Sequence, residues 1–247
     1  MGKSIITIMG TVIRTPMIDR NGGTGPRDGV DFLRLLSWVS PAFPTGGYAY
    51  SHGLEWAVEQ GDVRDVDTLI AWVSALLRHG SIGNDLIFLR VAWEAAHDMA
   101  ALRHIADFAC ACASSRERYE ETVYQGEAFL KASAVWDVVP TKAELVGVRW
   151  PLPVVQGLVF RRGMVACKQA LLSGGYAAVA ALVSAAVRLV PLGQTDGLRA
   201  LARLEDVLLE AAQDALTRTL EDVGSACFRS DLAAMHHETQ ETRLFRT

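Results

Sequence analysis

The sequence predicts an all-α chain folded as a single-domain helical bundle. Three observations carry this expectation. The clearest apolar stretches repeat at helical spacing: in "DVDTLIAWVSALLRHG" the residues Val66, Leu69, Ile70, Val73, Leu76 and Leu77 fall at i, i+3, i+4 and i+7. No segment after residue 30 shows the period-two alternation of a strand, and no repeat of solenoid length or low-complexity run is present. With 247 residues, half of them apolar and 21% charged, the chain is long and apolar enough to bury one sizeable core.

Taken in order, residues 1–30 read as a flexible leader: "TPMIDRNGGTGPRDGV" is rich in Gly, Pro and Asp and has no apolar period. The domain is expected over residues 31–247. "DFLRLLSWVS" is helical up to Pro41. The motif "SPAFPTGGYAYSHGLEW", residues 40–56, leads into a helix that Gly61 closes. The next helix is capped by Asp65 and is expected to end with Gly80 in the left-handed C′ position. Ser114 and Glu117 form a capping box ahead of a helix with Tyr119, Val123, Gly126, Leu130 and Ala134 on one stripe. Breaks follow near Pro140 and at "WPLP", residues 150–153. Two long helical segments then flank "PLGQTDG", residues 191–197, the second with Leu198, Leu201, Leu204, Leu208 and Leu216 on roughly one side.

Composition excludes several classes. The net charge is −4 and there is no Lys/Arg block, so the electrostatic footprint of a nucleic-acid binder is missing. Four cysteines do not make a disulfide framework, and their scatter suits a reducing compartment. "MGKSIITIMGTVIR" lacks the cleavage site of a signal peptide and is interrupted by polar residues. The most apolar later run, Tyr176 to Pro191, contains Arg188 and is too short to span a bilayer. The expectation is a cytoplasmic protein that binds neither nucleic acid nor membrane.

Signatures of chemistry are sparse. "GKS" at residues 2–4 has no room for the upstream glycine of a P-loop, and no nucleotide motif or nucleophile elbow is present. "HHETQE", residues 236–241, holds H-E-x-x-E, so His237 and Glu241 share a helix face, but no third ligand is near; a polar helix face is the simpler reading. Cys110 and Cys112, with His104 close by, lie two residues apart and face different ways, which favours small buried side chains over a metal pair. His52 sits beside two tyrosines with only Glu55 near, too little for acid–base catalysis. The residues therefore favour a binding protein over an enzyme, with no catalytic residue, metal site or cofactor assigned.

Residues 40–61, "SPAFPTGGYAYSHGLEWAVEQG", resemble the N-terminal signature of the UreF family of urease accessory proteins, roughly S-P-x-x-P-x-G-x-[FY]-x-Y-S-x-G-L-E. The end, "SDLAAMHHETQETRLFRT", is similar to the family's closing pattern, and "SRERYEETVYQGEAFL" and "AVRLVPLGQTDG" match in order between them. The resemblance spans about residue 31 to the end. It implies an all-α homodimer that binds the accessory protein UreD (UreH in some systems) and, through it, the GTPase UreG, in an assembly that delivers nickel to apo-urease. The alternatives are a GTPase-activating regulator of UreG, or a helical metal-binding protein using His236, His237, Glu238 or Glu241. In the motif, Pro41 and Pro44 stiffen the loop while Gly46 and Gly47 let it turn. Tyr48 and Tyr50 are the first expected partner contacts, Tyr48 by the resemblance entering a pocket on UreD, while Trp56 is expected in the core. A docking tail, about residues 228–247, supplies the second set: Leu244 and Phe245 exposed on such a tail need a surface to dock on, and the resemblance implies a tail that orders when UreD binds, through Arg243, Leu244 and Phe245.

Overall fold

The computed structural model describes residues 29–247; most of the leader expected at residues 1–30 lies outside the described residues. Helix α1 spans Val30–Trp38 and α2 spans Leu54–Glu59, with a 3-10 turn, Gly47–Ala49, between them. Then come α3 (Val66–His79), α4 (Ser81–Glu94), α5 (Met99–Ala111) and α6 (Arg116–Ser133). A short α7 (Lys142–Leu145) precedes α8 (Leu152–Arg162), α9 (Cys167–Leu189), α10 (Gln194–Ala215) and α11 (Phe228–His237). No strand occurs among the described residues, and Asp31–Thr247 pack as one body, an all-α bundle.

Two helices form its centre. In α8 every residue from Pro153 to Phe160 is buried, and α4 buries Ile82, Leu86, Ile87, Phe88, Leu89 and Ala92. A helix covered on all sides has no polar face to spare, so neither shows the one-sided pattern of a surface helix. Around this pair stand α3, α5, α6, α9 and α10. Close approach is bought with glycine: a Cβ on Gly157 would lie 2.3 Å from the Leu89 carbonyl oxygen, and one on Gly126 would lie 1.9 Å from that of Trp150.

The apolar run expected at Tyr176–Pro191 is part of a longer element. Helix α9 has 23 residues and, by length and composition, is long and apolar enough to cross a membrane. Here it packs on α4, α8 and α10, burying Ala170, Leu171, Val179, Leu182, Val183 and Ala186, which accounts for its apolar character.

Several local expectations need correction. Gly61 does close α2 at φ 75°, and Asp65 does cap α3, its Oδ1 accepting from the Thr68 amide at 2.8 Å. Gly80, however, is extended (φ −137°, ψ −156°) and joins α3 directly to α4. Space explains its glycine: a Cβ there would sit 2.8 Å from Cys227 Sγ. The cap of α6 is Ser115, one residue later than expected, with Oγ accepting from the Arg118 amide at 3.1 Å. Glu117 is thereby released for a different task. On the α6 stripe Val123, Gly126 and Leu130 are buried, but Tyr119 is only half-buried and Ala134, beyond the last α-helical residue, is exposed. On α10 the inward face is Gly197, Ala200, Leu204, Leu208 and Ala211, and Leu198 points outward. Cys112 is exposed and Cys110 half-buried, so the pair is not a buried one.

A Gly126→Ala variant should lose about 1–3 kcal/mol of stability or more, because backbone on both sides must move to admit one methyl group. Urea unfolding checks this, and an unchanged midpoint would contradict the packing described.

Candidate functional site

The two segments singled out in the sequence, residues 40–56 and the tail after residue 228, form one structure. The motif makes a compact loop in which Gly46 (φ 74°) and Gly53 (φ 75°) adopt left-handed backbone. Gly53 has a second reason to be glycine. A Cβ there would lie 2.7 Å from the Ala234 backbone nitrogen, so α2 and α11 touch at this point. Trp56, half-buried, lies flat against His236 (ring centroids 4.8 Å apart), with the Arg229 guanidinium 5.2 Å from its ring centre.

From residue 243 the chain runs back along the motif. The Arg246 amide donates to the Ala49 carbonyl (2.8 Å), and the Ser51 amide donates to that of Thr247 (2.9 Å), as does the Ser51 hydroxyl. Glu55, buried on α2, acts as a template: Oε1 accepts from the Leu244 amide (2.7 Å) and Oε2 from the Phe245 amide (3.0 Å). The same Oε2 lies 3.2 Å from His237 Nε2. His237 is completely buried, and its Nδ1 lies 2.7 Å from Glu117 Oε2. Glu117 Oε1 in turn accepts from Arg243 Nη1 at 2.7 Å. Glu238 completes the join to α6, its Oε1 accepting from the Arg116 amide (2.8 Å) and the Glu117 amide (3.3 Å) at the positive end of that helix.

A second cluster adjoins the first. Thr247 Oγ1 donates to Glu121 Oε2 (2.7 Å), Glu121 pairs with Arg118, and His52 Nδ1 stands 3.7 Å from Glu121 Oε1. Burial works to raise the Glu121 pKa, but Arg118 and His52 outweigh it and hold the carboxyl well below the usual range. His52 has φ 61°, uncommon for a residue with a side chain, and its Nε2 meets Ser81 Oγ at 2.6 Å. Burial, helped by Arg118, pulls its pKa down. Beside this cluster is a cavity of about 530 Å³ beneath the motif loop. Asp85 lines it, and burial pushes its carboxyl up to about 7, Arg118 only partly offsetting this.

The five expected contact residues divide. Tyr48 (79% exposed) and Leu244 (76%) face outward, and Arg243 lies at the rim. Tyr50 (8%) and Phe245 (5%) are seated in the protein's own fold, where burial raises the Tyr50 pKa against the lowering effect of Arg246. Arg188 joins the halves: its guanidinium is 4.3 Å from the Phe245 ring centre, and Nη1 donates to the Tyr48 carbonyl at 2.8 Å. Sequence reasoning did not single out Glu117, Glu121, Arg118, Asp85 or Arg188 as site residues. The one available signal was the i, i+3, i+4 spacing of charges in "SRERYEE". His237 and Glu241 do not form a pair, since Glu241 is exposed. The two carboxylates at His237 meet opposite ring nitrogens, so one ion cannot take all three. Among the described residues no group of three or more His, Cys, Asp or Glu is arranged to hold a metal.

Two outcomes follow from this geometry. Glu55→Ala removes the acceptor of two tail amides and one partner of buried His237, so it should cost about 3–5 kcal/mol and leave the Leu244 and Phe245 amides exchanging freely with solvent. Hydrogen exchange with urea unfolding measures both, and retained protection would refute the template role. Asp85 gives a pH signature. Unfolded, it ionises near 3.8; folded, it keeps its proton until about 7, so its contribution is complete below the first value and lost as pH rises through the second. Asp85→Asn should therefore match wild type near pH 4 and exceed it by about 1–3 kcal/mol at pH 8.

A family model for UreF matches residues 63–205. The chain is 46% identical to the urease accessory protein UreF of Bradyrhizobium diazoefficiens over 231 residues, covering 92% of this chain and 96% of that protein. It is 48% identical to the protein of that name in Rhodopseudomonas palustris strain BisA53 (87% and 92% covered), and 47% identical to that in Agrobacterium fabrum (87% and 96%). Motif, tail, helical body and relatives agree: the chain belongs to the UreF family.

Proposed function

We propose that the protein is a nickel-insertion chaperone of urease maturation that works by binding rather than by catalysis. In this reading it docks UreD (or UreH) and, through that complex, the GTPase UreG, and the assembly delivers nickel to apo-urease. It acts in the cytoplasm as a homodimer. One observation carries the reading beyond family membership: the motif loop and the tail are locked to one another, yet present Tyr48 and Leu244 to the outside.

A grip of this kind loses little entropy on docking. The Tyr48 carbonyl is held by Arg188, and the Leu244 amide by Glu55, so both side chains project from fixed backbone. Tyrosine is among the residues enriched at binding hot spots, where truncation costs about 2 kcal/mol or more. Arg243, Tyr50 and Phe245 then serve chiefly to position the exposed pair.

Tyr48→Ala should weaken capture by immobilised UreD at least roughly tenfold, and Leu244→Ala by a smaller factor. Because both side chains are exposed, thermal melting and circular dichroism should stay at wild-type values. Undiminished capture by both variants would refute the grip.

A further inference from the structure

The bundle is not filled beneath the motif loop. The cavity there, about 530 Å³, is walled by α4, α6, α8 and α9, and its size lies within the roughly 300–1,000 Å³ of small-ligand sites. Much of the wall is apolar, including Trp38, Phe129, Leu86 and Leu182. Helix α9 contributes Ala177, Ala178 and Ala181, whose short side chains leave the space open. Exposed Tyr48 and Arg188 also line it, so it reaches the surface beside the proposed grip.

The charges around it are not balanced one by one. Arg118 is paired with Glu121, and His52 is bonded to Ser81. Arg188 is engaged with the Tyr48 carbonyl, the Ser184 carbonyl and the Phe245 ring. Asp85 has no hydrogen bond or ion pair among the described residues; only burial and the more distant charges of Arg118 and Glu121 act on it. Asp85 is half-buried and lines this open space with no donor from the protein, so its carboxylate oxygens are free to accept from a group that enters. A chelated metal ion fits poorly, since no third ligand gathers beside Asp85 and Glu121. A single positive group on a slim apolar stem matches both the lone carboxylate and the apolar wall.

We propose that this cavity is a socket for an alkylammonium or alkylguanidinium group, with the cationic head at Asp85 and the stem along the small residues of α9. Such a group arrives either on a free amine or as a Lys or Arg side chain of a protein docked at Tyr48. Only the second source rests on the docking function proposed above.

The test uses butylammonium and butylguanidinium as probes of the full-length protein alone, followed by ligand-observed NMR titration, with butanol as the uncharged control. Both cations should bind saturably and butanol should not. Asp85→Asn, which keeps the shape of the side chain, and Ala178→Leu, which fills the lumen, should each weaken binding at least about tenfold, the scale of one charge-assisted hydrogen bond away from bulk water. Affinity should rise as pH rises through about 7, where Asp85 gives up its proton and the probes keep theirs. Absent saturation, equal binding of butanol, or an unchanged affinity in Asp85→Asn would overturn the socket whatever UreD does. With binding established, excess butylguanidinium that blocks capture by UreD assigns the socket to a basic side chain, and unblocked capture assigns it to a free amine.

Discussion

The site depends on Glu55. One buried carboxylate accepts two tail amides and faces an imidazole that is itself completely enclosed, so α2, α11 and the tail share one residue. Charge buried in this way is tolerated only when the carboxylate oxygens find hydrogen-bond partners. Glu55 and Glu117 meet that condition jointly, through His237, Arg243 and the two tail amides, and removing any member strands the others. That interdependence specifies one arrangement of α2, α6, α11 and the tail, whereas apolar contact alone would permit several.

The apolar body supplies the frame on which this polar junction is built. Helices α4 and α8 are surrounded, and backbone approaches as close as those at Gly126 and Gly157 fix the spacing of α6, α8 and α4 to within a methyl group. Ser81 begins α4 and receives His52, while Arg118 and Glu121 extend from the first turns of α6. Motif and tail are therefore referred to helix ends that the core holds rigid. A binding surface made of loop and tail can in this way be as well defined as one made of helices.

How much of this could be read beforehand varied with the physics involved. The all-α class, the Asp65 cap and the Gly61 stop were legible because each is set by local sequence: period, side-chain acceptor, positive φ. Gly80 was misassigned because its constraint is a sulfur atom 147 residues away in the chain, Cys227, which no local rule contains. The α6 cap slipped by one residue because Glu117, a good capping-box partner by spacing, is better used against His237 and Arg243. Both site segments were visible by resemblance, but their mutual contact was not, since Ser51 and Thr247 lie 196 residues apart. Nor could Tyr50 be told from Tyr48, for alternate residues of an irregular loop have no periodic rule separating inward from outward. Arg188 and Asp85 were hidden for a simpler reason: each is one charge on an otherwise apolar helix face.

That separation of 196 residues has a kinetic meaning. Closing so long a loop gives its reward only after the intervening helices are in place, since the entropic cost comes before the contacts. The junction of motif and tail should therefore be among the last contacts made in folding. The protein thus has a built-in order of assembly, in which a stable bundle comes first and the surface that meets other molecules is completed afterwards.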